Sequence, residues 1–247
     1  MKEEAAGIPR IIHYCWFGRG AKPPKIVKCM NSWRRHLPDY ELVEWNEDNF
    51  DLNANRFVKE AYASRKYAFV SDYVRLHALF AQGGIYLDTD VEILKPLDRF
   101  LHHESFFGYE DEQYASSCLI GSVKEHPWME ELKSYYEELP FVLPDGTLNM
   151  KTNTSIITRL CEPYGFAANG EYQVLTNGVV FYPRTYFSPY DFINGANYIT
   201  ENSYAIHHFA KSWLPYHVRL RGELKRRISR LAGPAFIGKM RRVLWNK

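Results

Sequence analysis

Apolar positions along this chain change period repeatedly, and each change marks an element. Ile26, Met30, Trp33 and Leu37 follow one another at intervals of four, three and four, the one-sided spacing of an amphipathic helix. Just before them, RIIHYCWF (10–17) is a β-branched and aromatic run behind a proline, which predicts a first strand. YELVEW (40–45) alternates and predicts a second strand, followed by a short helix around 56–64. From Ser71 to Gln82 the apolar set Val74, Leu76, Leu79 and Phe80 predicts a longer helix. Ser71 is placed to cap it, Asp72 favours its first turn, and Gly83-Gly84 stop it. IYLD (85–88) and VEIL (91–94) then read as short strands, as do FFGYE (106–110), SSCLIGS (116–122), VVFYP (179–183) and YAIHHF (204–209). PWMEELKSYYEEL (127–139) and TNTSIITRLCEPYG (152–165) predict two further helices, the first opened by a proline. Strands alternating with helices predict an α/β fold, a sheet covered on both faces with ligands at the strands' C-terminal ends.

Composition narrows this picture only slightly. At 247 residues the chain suits one large domain or two small ones, and 46% apolar with 24% charged residues is ordinary for a soluble protein. Aromatics reach 16%, enough to serve both a core and stacking on bases or sugars. Cys15, Cys29, Cys118 and Cys161 show no C-x-x-C spacing, and MKEEAAGIPR is no signal peptide, so reduced thiols in a cytoplasmic protein are expected. No stretch approaches the ~18 apolar residues of a spanning helix.

Charge divides the chain. From His217 to Lys247, ten Lys or Arg face a single acid, Glu223, so the rest of the chain is acidic on balance. Within that tail Leu220, Leu224, Ile228 and Leu231 fall on one side of a helical wheel, with Arg219, Arg226, Arg227 and Arg230 around the remainder. Beyond Gly233-Pro234 the pattern repeats with Phe236, Met240, Val243 and Leu244. A domain at 1–216 followed by a basic amphipathic helical tail at 217–247 is therefore expected. The tail suits a membrane surface, or else packs on the domain with a solvated face. An acidic body without a recognition module argues against nucleic acid as a partner.

Candidate chemistry centres on Asp88-Thr89-Asp90. Residues i and i+2 of a strand point the same way, and two hard oxygens at a strand end suit Mn²⁺ or Mg²⁺, although a bare D-x-D also marks solvated turns. Asp72 and Arg75 sit at i and i+3 on one helical face, either as a surface ion pair worth about 0.3 kcal/mol or as contacts to a sugar hydroxyl and a phosphate. His207 and His208 are strand neighbours pointing to opposite faces, so one of them can enter a cleft.

Taken together, SDYVRLHALFAQGGIYLDTDVE resembles the core signature of glycosyltransferase family 32, whose members carry a DXD sugar-binding motif. IPRIIHYCWFG, PDYELVEW with NEDNFD, AYASRKYAFVSDY and YAIHHFAKSW extend the resemblance from about residue 8 to 214. It implies a GT-A-like single domain with a mostly parallel nucleotide-binding sheet flanked by helices. It also implies Mn²⁺ (or Mg²⁺) on the diphosphate of a UDP- or GDP-sugar donor, and retention of anomeric configuration. Carried over, Asp88 and Asp90 are the catalytic and metal-binding carboxylates, and Asp72 and Arg75 contact donor sugar or phosphate. Trp16 either stacks on the base or is a core residue. His207 is the favoured further metal ligand, with His208 in reserve, and Ser212 and Trp213 donate hydrogen bonds to the leaving diphosphate.

Asn153 resembles the position of a T-G-P-like loop against the sugar and joins the catalytic set, although this chain lacks the Gly-Pro. Glu110, Asp111 and Glu112 could supply a carboxylate for double displacement, but three adjacent acids read first as a solvated loop. The implied reaction moves a hexose to a glycan or lipid-linked glycan acceptor in bacterial capsular or surface polysaccharide synthesis, peripherally at the inner face of the cell membrane. A metal-dependent nucleotide-sugar hydrolase and a non-catalytic carbohydrate-binding protein are the alternatives.

Overall fold

A computed structural model describes residues 7–191 and 196–210. The tail at 217–247, with Ser212 and Trp213 before it, lies outside the described residues. The chain runs β1 (Ile11–Cys15), α1 (Pro24–His36), β2 (Glu41–Trp45), α2 (Arg56–Ala63), α3 (Tyr67–Gln82), β3 (Gly84–Leu87) and β4 (Val91–Ile93). There follow β5 (Ser105–Tyr109), β6 (Ala115–Ser122), α4 (Pro127–Glu137), α5 (Asn153–Cys161), β7 (Gln173–Val174), β8 (Val180–Tyr182), α6 (Arg184–Phe187) and β9 (Ala205–His207).

Seven strands form one sheet in the order β2-β1-β3-β6-β5-β8-β7. β1 pairs parallel with β2 and β3, β6 runs antiparallel to both β3 and β5, β8 returns parallel to β5, and β7 closes the edge antiparallel. The sheet is therefore mostly parallel, with β1, β2, β3, β5 and β8 sharing one direction. Their C-terminal ends share one edge, which is where an α/β sheet takes its ligands.

Alternation along each strand feeds two cores. Ile12, Tyr14, Ile85, Leu87 and Phe106 pack on one face with Ile26, Met30 and Trp33 of α1. Tyr86, Phe107 and Tyr109 point to the other, against Val70, Val74 and Leu79 of α3 and Met129 and Leu132 of α4. The expected α/β fold, a mostly parallel sheet flanked by helices, is what the chain forms.

Two glycines turn α3 directly into β3. Gly83 and Gly84 take φ of +67° and +107°, in the region that side chains rarely adopt, and a Cβ on Gly84 would lie 2.6 Å from the Ile11 carbonyl oxygen. His13 locks this junction, with Nε2 2.8 Å from the Gly83 oxygen and Nδ1 accepting from the Trp45 indole at 3.1 Å. Burial lowers the His13 pKa, and the two contacts require the neutral tautomer that carries its proton on Nε2.

One boundary differs from expectation. α3 begins at Tyr67, so Ser71 lies inside the helix and does not cap it; its hydroxyl donates to the Tyr67 carbonyl at 3.1 Å. Arg65 in the left-handed region (φ +55°) ends α2 abruptly, which leaves room for the run YAFV to open α3. Phe69 and Val70 are buried there, and apolar contact has overridden the cap signal.

A small second sheet pairs β4 antiparallel with β9, setting Val91 opposite His207 and Ile93 opposite Ala205. α1 fixes the position of β4: the Trp33 indole donates to the Val91 carbonyl at 2.7 Å, and the Ile93 amide donates to the Ser32 hydroxyl at 2.8 Å.

Candidate active site

The site forms where β3 leaves the large sheet and the chain turns into β4. The turn is closed by the Val91 amide on the Asp88 carbonyl at 3.0 Å, and β6 holds its start through the Asp88 amide on the Cys118 carbonyl at 2.8 Å. Asp88 and Asp90 flank this turn.

Asp88 is held by two neighbours. The Tyr86 hydroxyl donates to its Oδ1 at 3.0 Å, and Nη2 of Arg75 lies 3.4 Å from the same oxygen. Arg75 is buried, donating from Nη2 to Asp72 Oδ1 at 2.7 Å and from Nη1 to the Ser117 carbonyl at 2.6 Å, with its guanidinium 4.6 Å from the centre of the Tyr86 ring. The Asp72/Arg75 pair is thus an interior one, unlike the surface pair that spacing alone allowed. Arg75 thus joins Asp72, Asp88 and β6.

The three charges read each other. Burial pushes the Asp88 carboxyl up, against the opposing pull of Arg75 and His207. Burial likewise raises Asp72 to about 7, with Arg75 pulling it down and Asp88 pushing it up. Asn153 also lowers Asp72. That residue opens α5, is buried, and accepts a 2.9 Å hydrogen bond on Oδ1 from the Tyr136 hydroxyl. The structure therefore places Asn153 beside Asp72.

Asp90 faces the distant end of the chain. The Ala210 amide donates to its Oδ2 at 2.6 Å, Nε2 of His207 lies 3.4 Å from its Oδ1, and its carbonyl accepts from the His208 amide at 3.1 Å. Burial opposes ionisation of Asp90, but His207 and the Ala210 amide outweigh it and hold the carboxyl below the ordinary range. His207 is raised well above its usual value, because Asp90 overcomes the burial that disfavours the imidazolium. Phe209 takes a φ of +48°, a strained setting for a bulky residue, and this bend presents Ala210 to Asp90. His208 turns elsewhere, with Nε2 2.8 Å from Glu92 Oε2.

Asp88, Asp90 and His207 each offer one ligand atom, all within 4.8 Å of one another. Two hard carboxylate oxygens with one imidazole suit Mn²⁺ or Mg²⁺, and His207 Nδ1 is buried without a hydrogen-bond partner among the described residues. The residues present fit such an ion. His207, and not His208, belongs to this group. Trp16 follows the C-terminal end of β1 at the same edge of the sheet, half-buried, with its indole donating to the Gly20 carbonyl at 2.6 Å and Lys22 Nζ 5.3 Å from its ring.

The three adjacent acids part company in the structure. Glu112 is exposed and Asp111 caps the β5–β6 hairpin through Oδ1, as a solvated loop requires. Glu110 differs: it follows β5, is half-buried, and its pKa is raised by burial, tempered by His207, with Asp88 adding repulsion.

Residues 23–107, from α1 into β5, match the family model described as "Glycosyltransferase sugar-binding region containing DXD motif". The chain is 32% identical over 130 residues to "Inositol phosphoceramide mannosyltransferase 3" of Schizosaccharomyces pombe, covering 51% of this chain and 36% of that protein. It is 27% identical over 225 residues to "Uncharacterized glycosyltransferase L373" of Acanthamoeba polyphaga mimivirus, covering 86% of each. It spans less than half the length of the yeast mannosyltransferases it matches. Among solved structures, "PaToxG Glycosyltransferase" overlaps 64% of this chain and 69% of its own with a TM-score of 0.48 and 18% identity. The turn that joins β3 to β4 thus lies within residues 23–107, the part of this chain that matches a glycosyltransferase sugar-binding region containing a DXD motif.

Proposed function

We propose that this chain is a metal-dependent glycosyltransferase, which moves a hexose from a nucleotide-diphosphate sugar to a hydroxyl of a glycan or glycolipid acceptor. The observation that carries the reading is the convergence of Asp88, Asp90 and His207, two ligands from one turn and one from a strand more than a hundred residues later. Such an arrangement suits a divalent ion that keeps open positions for phosphate oxygens. When bound, the ion neutralises charge as it develops on the departing diphosphate.

The chain's own residues set this up before any substrate arrives. Tyr86 and Arg75 orient Asp88 and hold it in place, so its carboxylate presents a fixed oxygen. The Ala210 amide does the same for Asp90. Trp16 and Asp72 line the donor side, and Ser212 and Trp213 are proposed as donors to the leaving phosphate. In the reaction the anomeric C–O bond to the diphosphate breaks and a bond to the acceptor oxygen forms. The acceptor's proton passes to a leaving phosphate oxygen, on the same face, so that configuration is retained.

Relatives named as inositol phosphoceramide mannosyltransferases favour mannose as the sugar and a membrane glycolipid as the acceptor. The basic amphipathic pattern at 217–247 supports work at a membrane surface, with about 1 kcal/mol for each basic residue near anionic lipid. A cytoplasmic-face enzyme of surface glycan synthesis fits both. Thermal unfolding with Mn²⁺ and, in turn, GDP-mannose, UDP-glucose and UDP-N-acetylglucosamine tests this, because a ligand that binds the native state raises Tm by mass action. A rise that needs both Mn²⁺ and one nucleotide sugar is expected. No rise with any of them, or one unaffected by EDTA, refutes the metal–diphosphate site.

A further inference from the structure

Beside the Asp88/Asp90/His207 group lies a second set of polar side chains that the metal does not require. Glu110 emerges from the C-terminal end of β5, on the edge of the sheet where β3 delivers Asp88. It is half-buried, its amide donates to the Tyr114 carbonyl at 2.8 Å to close the hairpin, and its carboxylate accepts no hydrogen bond among the described residues. His207 and Asp88 lie within electrostatic reach, and the parallel β5–β8 register, with Gly108 opposite Tyr182, brings Arg184 alongside Glu110 two residues further on. Arg184, the first residue of α6, is about nine-tenths buried. Nη1 lies 3.4 Å from Glu112 Oε1, the guanidinium sits 4.8 Å from the centre of the Tyr198 ring, and Nε is buried without a hydrogen-bond partner among the described residues.

A half-buried carboxylate without a hydrogen-bond donor among the described residues and a buried, half-partnered guanidinium both cost free energy to leave unsatisfied. Among the described residues the Glu110 side chain makes no hydrogen bond, and Arg184 has a loose contact with the exposed Glu112 and the Tyr198 ring beside it. Nor does Glu110 fall within the ligand group of the ion. A carboxylate and a guanidinium edge with a half-exposed tyrosine ring nearby match the chemistry of a sugar, which offers hydroxyl donors and acceptors around an apolar face.

We infer that Glu110 and Arg184 form a sugar-binding subsite beside the metal group, in which the Glu110 carboxylate accepts a hydrogen bond from a hydroxyl of the hexose ring. This rests on the transferase reading above. The same chemistry serves the transferred sugar or the sugar of the acceptor, and binding measurements separate the two.

The test uses the full chain with Glu110→Gln, which keeps the shape of the side chain and removes its charge, and Arg184→Lys, which keeps the charge and loses the planar fork. Calorimetry measures binding of Mn²⁺ alone, of GDP with Mn²⁺ and of GDP-mannose with Mn²⁺; transfer from GDP-mannose to methyl α-mannoside is followed alongside. Both variants should hold Mn²⁺ and GDP as the wild type does. Glu110→Gln should lose about tenfold, the loss expected for one charge-assisted hydrogen bond, and Arg184→Lys a smaller factor in the same direction. If the loss falls on GDP-mannose but not GDP, the subsite holds the transferred sugar; if it falls on the KM for methyl α-mannoside alone, the subsite holds the acceptor.

Unchanged sugar binding and transfer in Glu110→Gln overturn the inference. So does a fall in Mn²⁺ affinity matching that of Asp90→Asn, which would make Glu110 a metal ligand. Failure of the wild type to bind Mn²⁺ with any of GDP-mannose, UDP-glucose and UDP-N-acetylglucosamine sinks the transferase reading and this one with it, an outcome visible before any variant is compared.

Discussion

Replacing Arg75 by Met removes the guanidinium that Asp72 and Asp88 share and keeps an unbranched apolar chain against the Tyr86 ring. Arg75 is 4% exposed, so water does not take the place of the lost cation. Stripping one partner from a buried ion pair destabilises by about 3–5 kcal/mol, because the remaining charge stays desolvated. Asp72 is already raised to about 7 and sheds part of its charge near neutrality, so the loss falls mainly on Asp88 and the lower end of that range applies. The orphaned Ser117 carbonyl adds to it. About 3 kcal/mol corresponds to a Tm lower by roughly 6–12 °C for a chain of this size.

The pH dependence follows from the sign of the shifts. Without Arg75 both carboxyls have native pKa values further above the unfolded value of about 3.9. A raised carboxyl keeps its proton in the native state, so stability is retained at and below the unfolded value and is lost as pH rises towards the native one. The deficit of Arg75→Met against wild type should therefore be smaller at pH 5 than at pH 8. Circular-dichroism melts in EDTA at both pH values measure it without a contribution from metal. A deficit under about 1 kcal/mol, or one as large at pH 5 as at pH 8, refutes the account of Arg75 as a buried support for the two acids.

His13 carries a lowered pKa because of burial, so the unfolded chain takes up its proton first and stability falls as pH drops below about 6.5. His13→Gln should flatten that slope between pH 5 and 7 in urea titrations by about one proton, and an unchanged slope would show that His13 does not titrate on unfolding. Gly121→Ala would place a methyl 2.0 Å from a ring carbon of the fully buried Phe106, and overpacking of that kind costs about 1–3 kcal/mol. Gly20→Ala, which meets nothing within 4 Å, should leave Tm within about 2 °C of wild type as its control. Asp90→Asn should weaken Mn²⁺ binding in calorimetry and slow any sugar transfer by about a hundredfold, since it removes one of two anionic ligands; full retention of both would remove Asp90 from the site.

Elements with strong local chemistry were legible in the chain itself. The four-three-four spacing of α1 and the β-branched run of β1 both read correctly, and the D-x-D turn lies where the strand pattern ends. Features decided by contacts between distant segments were not. The start of α3 depended on burial of Phe69 and Val70, which outweighed the serine at position 71. Asp72/Arg75 looked like a surface pair because helical spacing carries no information about what lies above it, and β6 and the Ser117 carbonyl supply that cover. Glu110 was hidden among adjacent acids whose fates diverge within one hairpin. The next two form or flank the turn, while the first stays on the strand's exit line towards His207.

The choice between His207 and His208 shows what strand alternation can and cannot decide. In the β4–β9 ladder Val91 faces His207, so simple extension of the register would set Asp90 opposite His208. The backbone does so: the His208 amide donates to the Asp90 carbonyl. Yet the side chains depart from that pairing, because Asp90 sits in the turn closed by Asp88 and Val91 and no longer follows strand alternation. Its carboxylate swings towards His207, and His208 is left to Glu92. A slip of one residue would exchange the two imidazoles. Ala205, buried opposite Ile93, and the hydrogen bond from Ala210 to Asp90 oppose such a slip from either end of the strand. The left-handed Phe209 costs about 1–3 kcal/mol and is held by that last bond. Local strain next to Asp90 is therefore part of what sets His207 beside the D-x-D turn, and the register of the β4–β9 pair decides which imidazole reaches it.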